Sequence, residues 1–232
     1  MTNTEMILEF KLTLDKVDSS SYPDFADEEI YFFLNESQDR IIKTRYSRNN
    51  LYKSGFEEIQ KRIDDLSNIV VTNYAAVTSV STETNTYKID ISTLYTDEAH
   101  TTPSTESYMF YLRSRPRVVK TGCTSKYINK VKLVQHDDLA YILEDPFNKP
   151  ILLEPVIYFE RGDIYLVTDG TFTIDKCKLT YIKRPAKIDE DTDCELAEYL
   201  HKEIVQMAVN IALESIESPR QQTQGNQLNT IE

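Results

Sequence analysis

The sequence has no tryptophan and only five glycines and three cysteines among its 232 residues. With so little glycine, neither a Gly-rich phosphate loop nor a dinucleotide-binding fingerprint can be written, which excludes most nucleotide-dependent enzymes. The cysteines are widely spaced and form no Cys-x-x-Cys pair. A disulfide framework and a zinc knuckle are therefore not indicated, and we expect three reduced thiols.

Long apolar runs and a basic charge balance are also absent. No window approaches 18 uncharged apolar residues, and the first ten residues lack a secretory signal pattern. We therefore expect a soluble protein synthesised in the cytoplasm. With 26 basic and 38 acidic residues the net charge is −12, so the whole surface repels phosphate and a general nucleic-acid binder is disfavoured.

Helical patterns occupy the first 67 residues. Thr2-x-x-Glu5 is a capping box before an apolar stripe, although Leu8, Phe10, Leu12 and Leu14 also alternate as in a strand. A second helix is expected from a cap at Asp24 to about Ser47. A third is expected over about 55–67, behind the capping box Ser54-x-x-Glu57.

After Asn68 the composition changes to Val, Thr and Tyr, which is typical of strands. Short strands are predicted at 69–71, 76–80, 87–91, 108–113, 116–120, 156–159, 164–168 and 178–182. Pro116 suits an edge strand, because it cannot donate a backbone hydrogen bond. A short helix near 136–145, ended by Pro146, interrupts the strands, and the last three are expected to form an antiparallel meander.

The capping box Thr192-x-x-Glu195 predicts a long helix from about Asp193 to Glu217. The predicted fold is α+β, in which N-terminal helices and the long C-terminal helix pack together around a central, mostly antiparallel β-domain. The predicted parts are a helical part at 1–67, a β-rich domain at 68–188, the C-terminal helix at 189–217 and an extended arm at 218–232. This polar arm cannot bury a core, so partner contact is expected to hold it.

An acidic run precedes the C-terminal helix. A metal-dependent hydrolase would need Asp189, Asp191, Asp193 and His201 to converge on a cation. Carboxylates before a helix N-terminus are better explained by the helix dipole, and the EF-hand pattern is absent. We predict no metal site, no cofactor and no catalytic residue.

One segment is basic although the chain as a whole is acidic. Residues 107–135 contain seven basic residues and no acidic one. Strand geometry places Arg113, Arg115 and Arg117 on one face, which could contact the acidic surface of a neighbouring copy, remain solvated, or contact DNA phosphates. The net charge favours subunit contact. The predicted interface residues are Arg113, Arg115, Arg117, Lys120, Asp189 and Asp191.

Three stretches in order carry a family resemblance. The first is Glu9-Phe10 followed by Glu28-Glu29-Ile30-x-x-x-Leu34-Asn35-x-x-Gln38-Asp39-Arg40-Ile41-Ile42. The second is Thr180-Tyr181-Ile182-Lys183-Arg184-Pro185-x-Lys187-Ile188-Asp189. The third is Glu195-Leu196-x-x-x-Leu200-His201-x-Glu203-Ile204-Val205 and its continuation to Arg220. Together they resemble the head-to-tail connector, or adaptor, ring proteins of tailed bacteriophages. The likeness is strongest to the ring proteins of crAss-like phages with short tails.

The resemblance implies a structural virion protein and not an enzyme. About twelve copies would form a homo-oligomeric ring in the portal–tail region, extending the channel for DNA ejection. Its partners would be the portal protein or neighbouring tail rings, with double-stranded DNA passing unbound and no membrane involved. Synthesis would take place in the host bacterial cytoplasm.

The C-terminal arm is expected to contact a partner ring through Arg220, Gln221, Gln222, Gln224, Asn226, Leu228 and Ile231. Other interpretations stay open: another tail or tail-tube ring element, a monomeric binding module, or a metal-dependent hydrolase. A monomeric module would not self-associate, whereas a ring subunit must.

Overall fold

The computed structural model describes residues 1–14, 25–47 and 55–216. The helices are α1 (Asn3–Leu14), α2 (Asp27–Tyr46), α3 (Gln60–Leu66), α4 (His136–Glu144) and α5 (His201–Ser215). The strands are β1 (Val70–Ser79), β2 (Thr86–Tyr95), β3 (Tyr108–Val119), β4 (Lys126–Tyr127), β5 (Lys132–Leu133), β6 (Val156–Glu160), β7 (Asp163–Val167) and β8 (Thr173–Lys183). The predicted α+β class is confirmed.

The chain divides into two compact units. The helical unit comprises residues 1–69 and 185–232, and the β unit comprises residues 70–184. The chain thus leaves the helical unit once, builds the whole sheet, and returns. The predicted cap at Asp24, Ser54 of the third capping box and the arm at 218–232 lie outside the described residues.

Helix α1 resolves the ambiguity between helix and strand in the N-terminal sequence. The predicted capping box is present, with Thr2 N donating to Glu5 Oε2 at 2.9 Å and Glu5 N donating to Thr2 Oγ1 at 3.4 Å. Met6, Phe10 and Leu14 are buried. The alternation arises because the opposite face is also apolar, with Leu8 and Leu12 58% and 63% exposed.

Helix α5 supplies the centre of the helical unit. Its buried side is broad, as the sequence indicates, and α1 and α2 both pack against it. Aromatic rings pack together in this unit, where Phe33 stacks on Phe10 at 6.3 Å and meets Phe25 edge-on at 5.4 Å between ring centroids.

One predicted helix start is wrong, and another predicted helix is interrupted. The C-terminal helix begins with a 3-10 turn at Glu198–Leu200, not at Asp193, because Glu195 does not cap it. Glu195 Oε2 instead accepts a hydrogen bond from Ala186 N at 3.0 Å. The third helical segment is split into a 3-10 turn, Phe56–Glu58, and α3. There Glu58, rather than the predicted Glu57, forms the capping hydrogen bond, and its Oε2 accepts that bond from Gly55 N at 2.9 Å.

The strands form one eight-stranded sheet in the order β4-β3-β8-β1-β2-β7-β6-β5. Every pairing is antiparallel except β5 with β6. Ile89, Ile164, Leu166, Leu179 and Tyr181 belong to its buried core. The predicted final meander is wrong beyond the β6–β7 hairpin, because β8 lies between β3 and β1 rather than beside β7.

Pro116 lies inside β3, where the sequence predicts two separate strands. Its carbonyl accepts a hydrogen bond from Ile128 N at 2.9 Å, on the side of the two-residue edge strand β4. A residue's nitrogen and carbonyl point the same way in a strand, so the missing donor faces this edge and interrupts no β3–β8 hydrogen bond.

Helix α4 forms where the sequence predicts it and ends before Pro146. It buries none of its residues fully, although Leu139 and Ile142 rest partly against Val134, Val156, Tyr158 and Val167. None of the described helices combines the length and apolar character needed to cross a membrane.

Candidate subunit interface

The three arginines that the sequence analysis predicts as interface residues share one outward face of the sheet. Arg113, Arg115 and Arg117 alternate along β3 with the buried residues Ser114, Pro116 and Val118. On the neighbouring strand β8, Lys178 is half-buried between the buried residues Cys177 and Leu179, and Lys176 is half-buried beside Cys177. We call the five cationic side chains Arg113, Arg115, Arg117, Lys176 and Lys178 the basic face.

The strand register arranges these cations in rows. Arg115 is the register partner of Lys178, which in turn is opposite Tyr74 of β1, and Tyr74 is opposite Tyr95 of β2. Arg117 is likewise opposite Lys176. Arg113 is opposite Thr180, whose hydroxyl lies 3.0 Å from that of Thr72.

Arg117 is held by carboxylates of its own unit. The register shift after Arg117 leaves Asp175 of β8 as an extra, unpaired residue, and such bulges redirect side chains. The Asp175 carboxylate accepts hydrogen bonds from the Arg117 guanidinium, and Glu98 Oε1 lies 2.9 Å from Arg117 Nη1. The hydrogen bond to Arg117 lowers the pKa of Asp175 below its ordinary value.

The rest of the basic segment does not join this face. Lys120 is half-buried beyond the end of β3 and occupies none of the rows. Lys130 Nζ is 3.0 Å from Glu154 Oε2, and Lys132 Nζ is 3.3 Å from Asn148 Oδ1. The run of basic residues is therefore divided among several local contacts.

The acidic residues before α5 lie in an extended segment clamped by amide side chains. Asn35 Nδ2 donates to Ile188 O at 2.9 Å, while Ile188 N donates to Asn35 Oδ1 at 2.8 Å. Buried Asn3 donates through Nδ2 to Asp189 O at 2.7 Å and to Thr192 O at 3.0 Å. Two helices thus fix the backbone on which the carboxylates are displayed.

Asp189 has a structural role within this segment. Its Oδ1 accepts hydrogen bonds from Asp191 N at 3.0 Å and from Thr192 N at 2.9 Å, closing a turn. Glu190 and Asp191 sit on that turn with exposed side chains. We call the segment from Asp189 to Thr192 the acidic turn.

The acidic turn and the start of α2 act on the same tyrosine. The pKa of Tyr31 is raised by partial burial and then by the carboxylates of Asp27, Glu190 and Asp189. Two acidic stretches far apart in sequence therefore contribute to one negative surface. Lys11 partly offsets it, with Nζ 2.8 Å from Asp27 Oδ1.

The residues of the hydrolase interpretation do not converge. Asp193 Oδ1 accepts a hydrogen bond from Asn3 N at 3.1 Å, and buried His201 contacts Leu196 O through Nε2 at 3.1 Å. Within residues 1–14, 25–47 and 55–216, no group of three or more His, Cys, Asp or Glu is positioned to hold a metal ion.

An exposed apolar segment was not anticipated from the sequence. From the last residue of β5 to the start of β6, the chain displays six large apolar side chains: Leu133, Tyr141, Leu143, Phe147, Ile151 and Leu153. Phe147 is 96% exposed. The signal was the apolar sequence Pro146-Phe147 and Ile151-Leu152-Leu153 outside the predicted helices and strands. Leu152 packs partly against the core of the sheet, whereas Phe147, Ile151 and Leu153 remain exposed. Exposed apolar patches of this kind mark interaction sites.

Charge is distributed unequally between the two units. The sequence of the helical unit contains 12 basic and 24 acidic residues, whereas that of the β unit contains 14 of each. The whole negative excess therefore belongs to the helical unit. A single chain therefore carries both a basic face and a strongly acidic unit.

Comparison with known proteins gives a consistent result. A sequence profile of the family described as phage tail ring protein 3/4 matches residues 1–226. Ring protein 3 of Bacteroides phage crAss001 is 25% identical over 228 residues, covering 92% of this chain and 95% of the relative. Ring protein 4/5 of the same phage is 22% identical over 235 residues, covering 91% and 92%.

The match runs through both units and includes the basic face and the acidic turn. It confirms the resemblance to crAss-like phage ring proteins and identifies a structural component of the phage particle rather than an enzyme. The chain belongs to the phage tail ring protein 3/4 family.

Proposed function

We propose that this protein is a subunit of a homo-oligomeric ring of about twelve copies in the portal–tail connector. The observation that carries the proposal is the charge asymmetry, with a basic face on the β unit and the negative excess in the helical unit. A repeated contact between two different surfaces closes into a ring when its rotation closes. Arg113, Arg115, Arg117, Lys120, Asp189 and Asp191 are the proposed lateral contacts.

The exposed apolar segment supports association through a second kind of contact. Six large apolar side chains within residues 133–153 would lose solvent exposure in a packed assembly, and apolar burial contributes about 25 cal/mol per Å². Charge would then set the register of neighbouring copies while this segment adds affinity.

The channel through the proposed ring would conduct the genome without binding it. The negative excess of the helical unit repels phosphate, so double-stranded DNA would pass during ejection without specific contacts. The portal protein and neighbouring tail rings are the proposed axial partners. The arm at 218–232 is proposed to reach one of them.

Cryo-electron microscopy of purified virions tests this function. The expected result is a closed ring of this chain coaxial with the portal, and sedimentation of the purified chain should show oligomers that weaken as salt rises. A chain that remains monomeric and is absent from virions would contradict the proposal. Deleting residues 221–232 should weaken docking to the partner ring and leave the melting temperature unchanged.

A further inference from the structure

The register pairs two cations directly across neighbouring strands. Arg115 of β3 is opposite Lys178 of β8, and Arg113 lies two residues along on the same face. Like charges directly opposite each other destabilise a sheet. In the described part of the chain, no carboxylate lies within ion-pair distance of Arg115 or Lys178. This row therefore carries an unneutralised positive charge.

The next row shows how the same sheet neutralises a like-charged pair. Arg117 is opposite Lys176, and there a bulge presents Asp175 while Glu98 approaches from a loop. Lys176 Nζ also donates to Glu98 O at 2.6 Å. The charge of Arg117 is thus neutralised within its own unit, whereas the Arg115–Lys178 row has no such carboxylate within the described ranges.

The Arg115–Lys178 row is already shaped for an anion. Lys178 Nζ lies 5.3 Å from the centroid of the Tyr74 ring, a cation–π contact that fixes the ammonium group. Arg115 Nε is buried without a hydrogen-bond partner among the described residues. Because this Nε is enclosed, a partner carboxylate would bind the terminal nitrogens of the half-buried guanidinium through charge-assisted hydrogen bonds.

The acidic turn fits this row. Glu190 and Asp191 are exposed, and in the described part of the chain neither forms an ion pair. The turn is fixed by Asp189 and by Asn3, so little conformational entropy is lost when it binds. It belongs to the acidic helical unit, whereas the row belongs to the β unit.

We infer that the Arg115–Lys178 row of one copy binds the acidic turn, through Glu190 and Asp191, of the next copy. The inference rests on the proposed ring function and names its electrostatic anchor. Duplex DNA would also suit a cationic row, but the negative excess of the chain disfavours it.

The single variant Arg115→Glu separates assembly from folding. It replaces a like-charged pair with an opposite-charged pair, so the melting temperature of the monomer, measured at low concentration, should rise by about 1–3 °C. The same variant should need at least about tenfold more protein for half assembly, corresponding to the loss of one charge contact. A purely structural arginine would instead lower the melting temperature when reversed, which is the result expected for Arg117→Glu.

A charge swap then identifies the partner. One double variant, Arg115→Glu with Lys178→Glu, should abolish assembly. The opposite double variant, Glu190→Lys with Asp191→Lys, should abolish it as well. Mixing the two double variants should restore assembly as mixed oligomers, because the reversed row then faces the reversed turn. The matched control is Lys126→Glu with Arg161→Glu, which makes the same charge change outside the basic face and should assemble normally. Arg115→Gln with Lys178→Gln provides a neutral variant should the reversed pair fail to fold.

Three outcomes would overturn the inference. If the wild-type chain and all reversed variants form equal rings, the anchor is wrong and the ring function stands. If the mixed variants do not associate and a fluorescent duplex binds wild type but not the Arg115–Lys178 variant, the row is a DNA contact. If wild type stays monomeric at every concentration, both proposals are wrong.

Discussion

Arg45 Nε lies 2.9 Å from Asp65 Oδ2, and both side chains are buried in the helical unit. The same guanidinium reaches Glu203 Oε2 through Nη2 at 2.8 Å. One arginine therefore links α2 to α3 and to α5. The sequence contains each of these residues within a predicted helix, but nothing in their spacing indicates that they meet.

We expect Arg45→Met to destabilise the protein by about 3–5 kcal/mol, because Asp65 would remain buried without its counter-charge. The free energy of unfolding is measured by urea titration. Lys43→Met is the matched control, since Lys43 is exposed on the same helix with Asp39 3.7 Å away. It should cost less than about 1 kcal/mol. Equal losses in the two variants would show that burial of the Arg45–Asp65 pair is unimportant.

The three cysteines should differ sharply in reactivity. Burial raises the pKa of Cys177 to about 12 and that of Cys194 to about 11, whereas Cys123 is exposed. Because the thiolate is the reactive species, one thiol per native chain should react quickly with a disulfide reagent at pH 8. All three should react after denaturation. Fast labelling of more than one native thiol would contradict the buried positions.

The hydrogen-bonded carboxylate of Asp97 predicts how its contribution to stability depends on pH. Its carboxylate accepts hydrogen bonds from the Thr101 hydroxyl and from Thr102 N, which lowers its pKa from 3.8 to about 2. A lowered folded-state pKa means that the stabilisation is present above pH 3.8 and is lost as pH falls through about 2.

An NMR titration of the Asp97 carboxyl carbon measures this directly. Thr101→Val removes the hydroxyl donor and should move the midpoint back toward 3.8, while Thr105→Val should leave it unchanged. A midpoint near 3.8 in the wild-type protein would mean that the Asp97 loop does not hold these hydrogen bonds in solution.

Phe147→Ser tests the exposed apolar segment. Because the ring is almost fully exposed in the isolated chain, its loss should leave the melting temperature unchanged and weaken self-association in sedimentation experiments. Leu166→Ala is the contrasting variant. Leu166 is fully buried, so that change should destabilise the fold by about 2–5 kcal/mol. Unaltered association of Phe147→Ser would remove Phe147 from the interface.

Local patterns predicted the elements whose signals are local. The Thr2–Glu5 capping box, α4 and the shared face of Arg113, Arg115 and Arg117 all follow from periodicity or short-range capping. The start of α5 did not, because the carboxylate of Glu195 is used by a backbone nitrogen nine residues earlier.

Long-range pairing was beyond the reach of such patterns. Alternation shows that β8 is a strand but does not select its neighbours, and here it inserts between β3 and β1. The partner of Arg117 depends on a bulge that becomes visible only when β3 and β8 are aligned. Strand alternation therefore predicted that the three arginines share a face, but it did not distinguish the neutralised Arg117 from Arg113 and Arg115.

The position of the sheet within the chain has a consequence for how such proteins diversify. The first residue of the β unit, Val70, is the register partner of Ile182, close to its last residue. Register partners have Cα atoms roughly 5 Å apart, so the whole unit is an insertion joined to its host at neighbouring points. Exchanging the β unit between ring proteins would therefore hardly change the loop-closure entropy of the helical unit, because the two ends of the inserted segment stay close together. A short linker in place of residues 70–184 should therefore suffice to close the helical unit on itself.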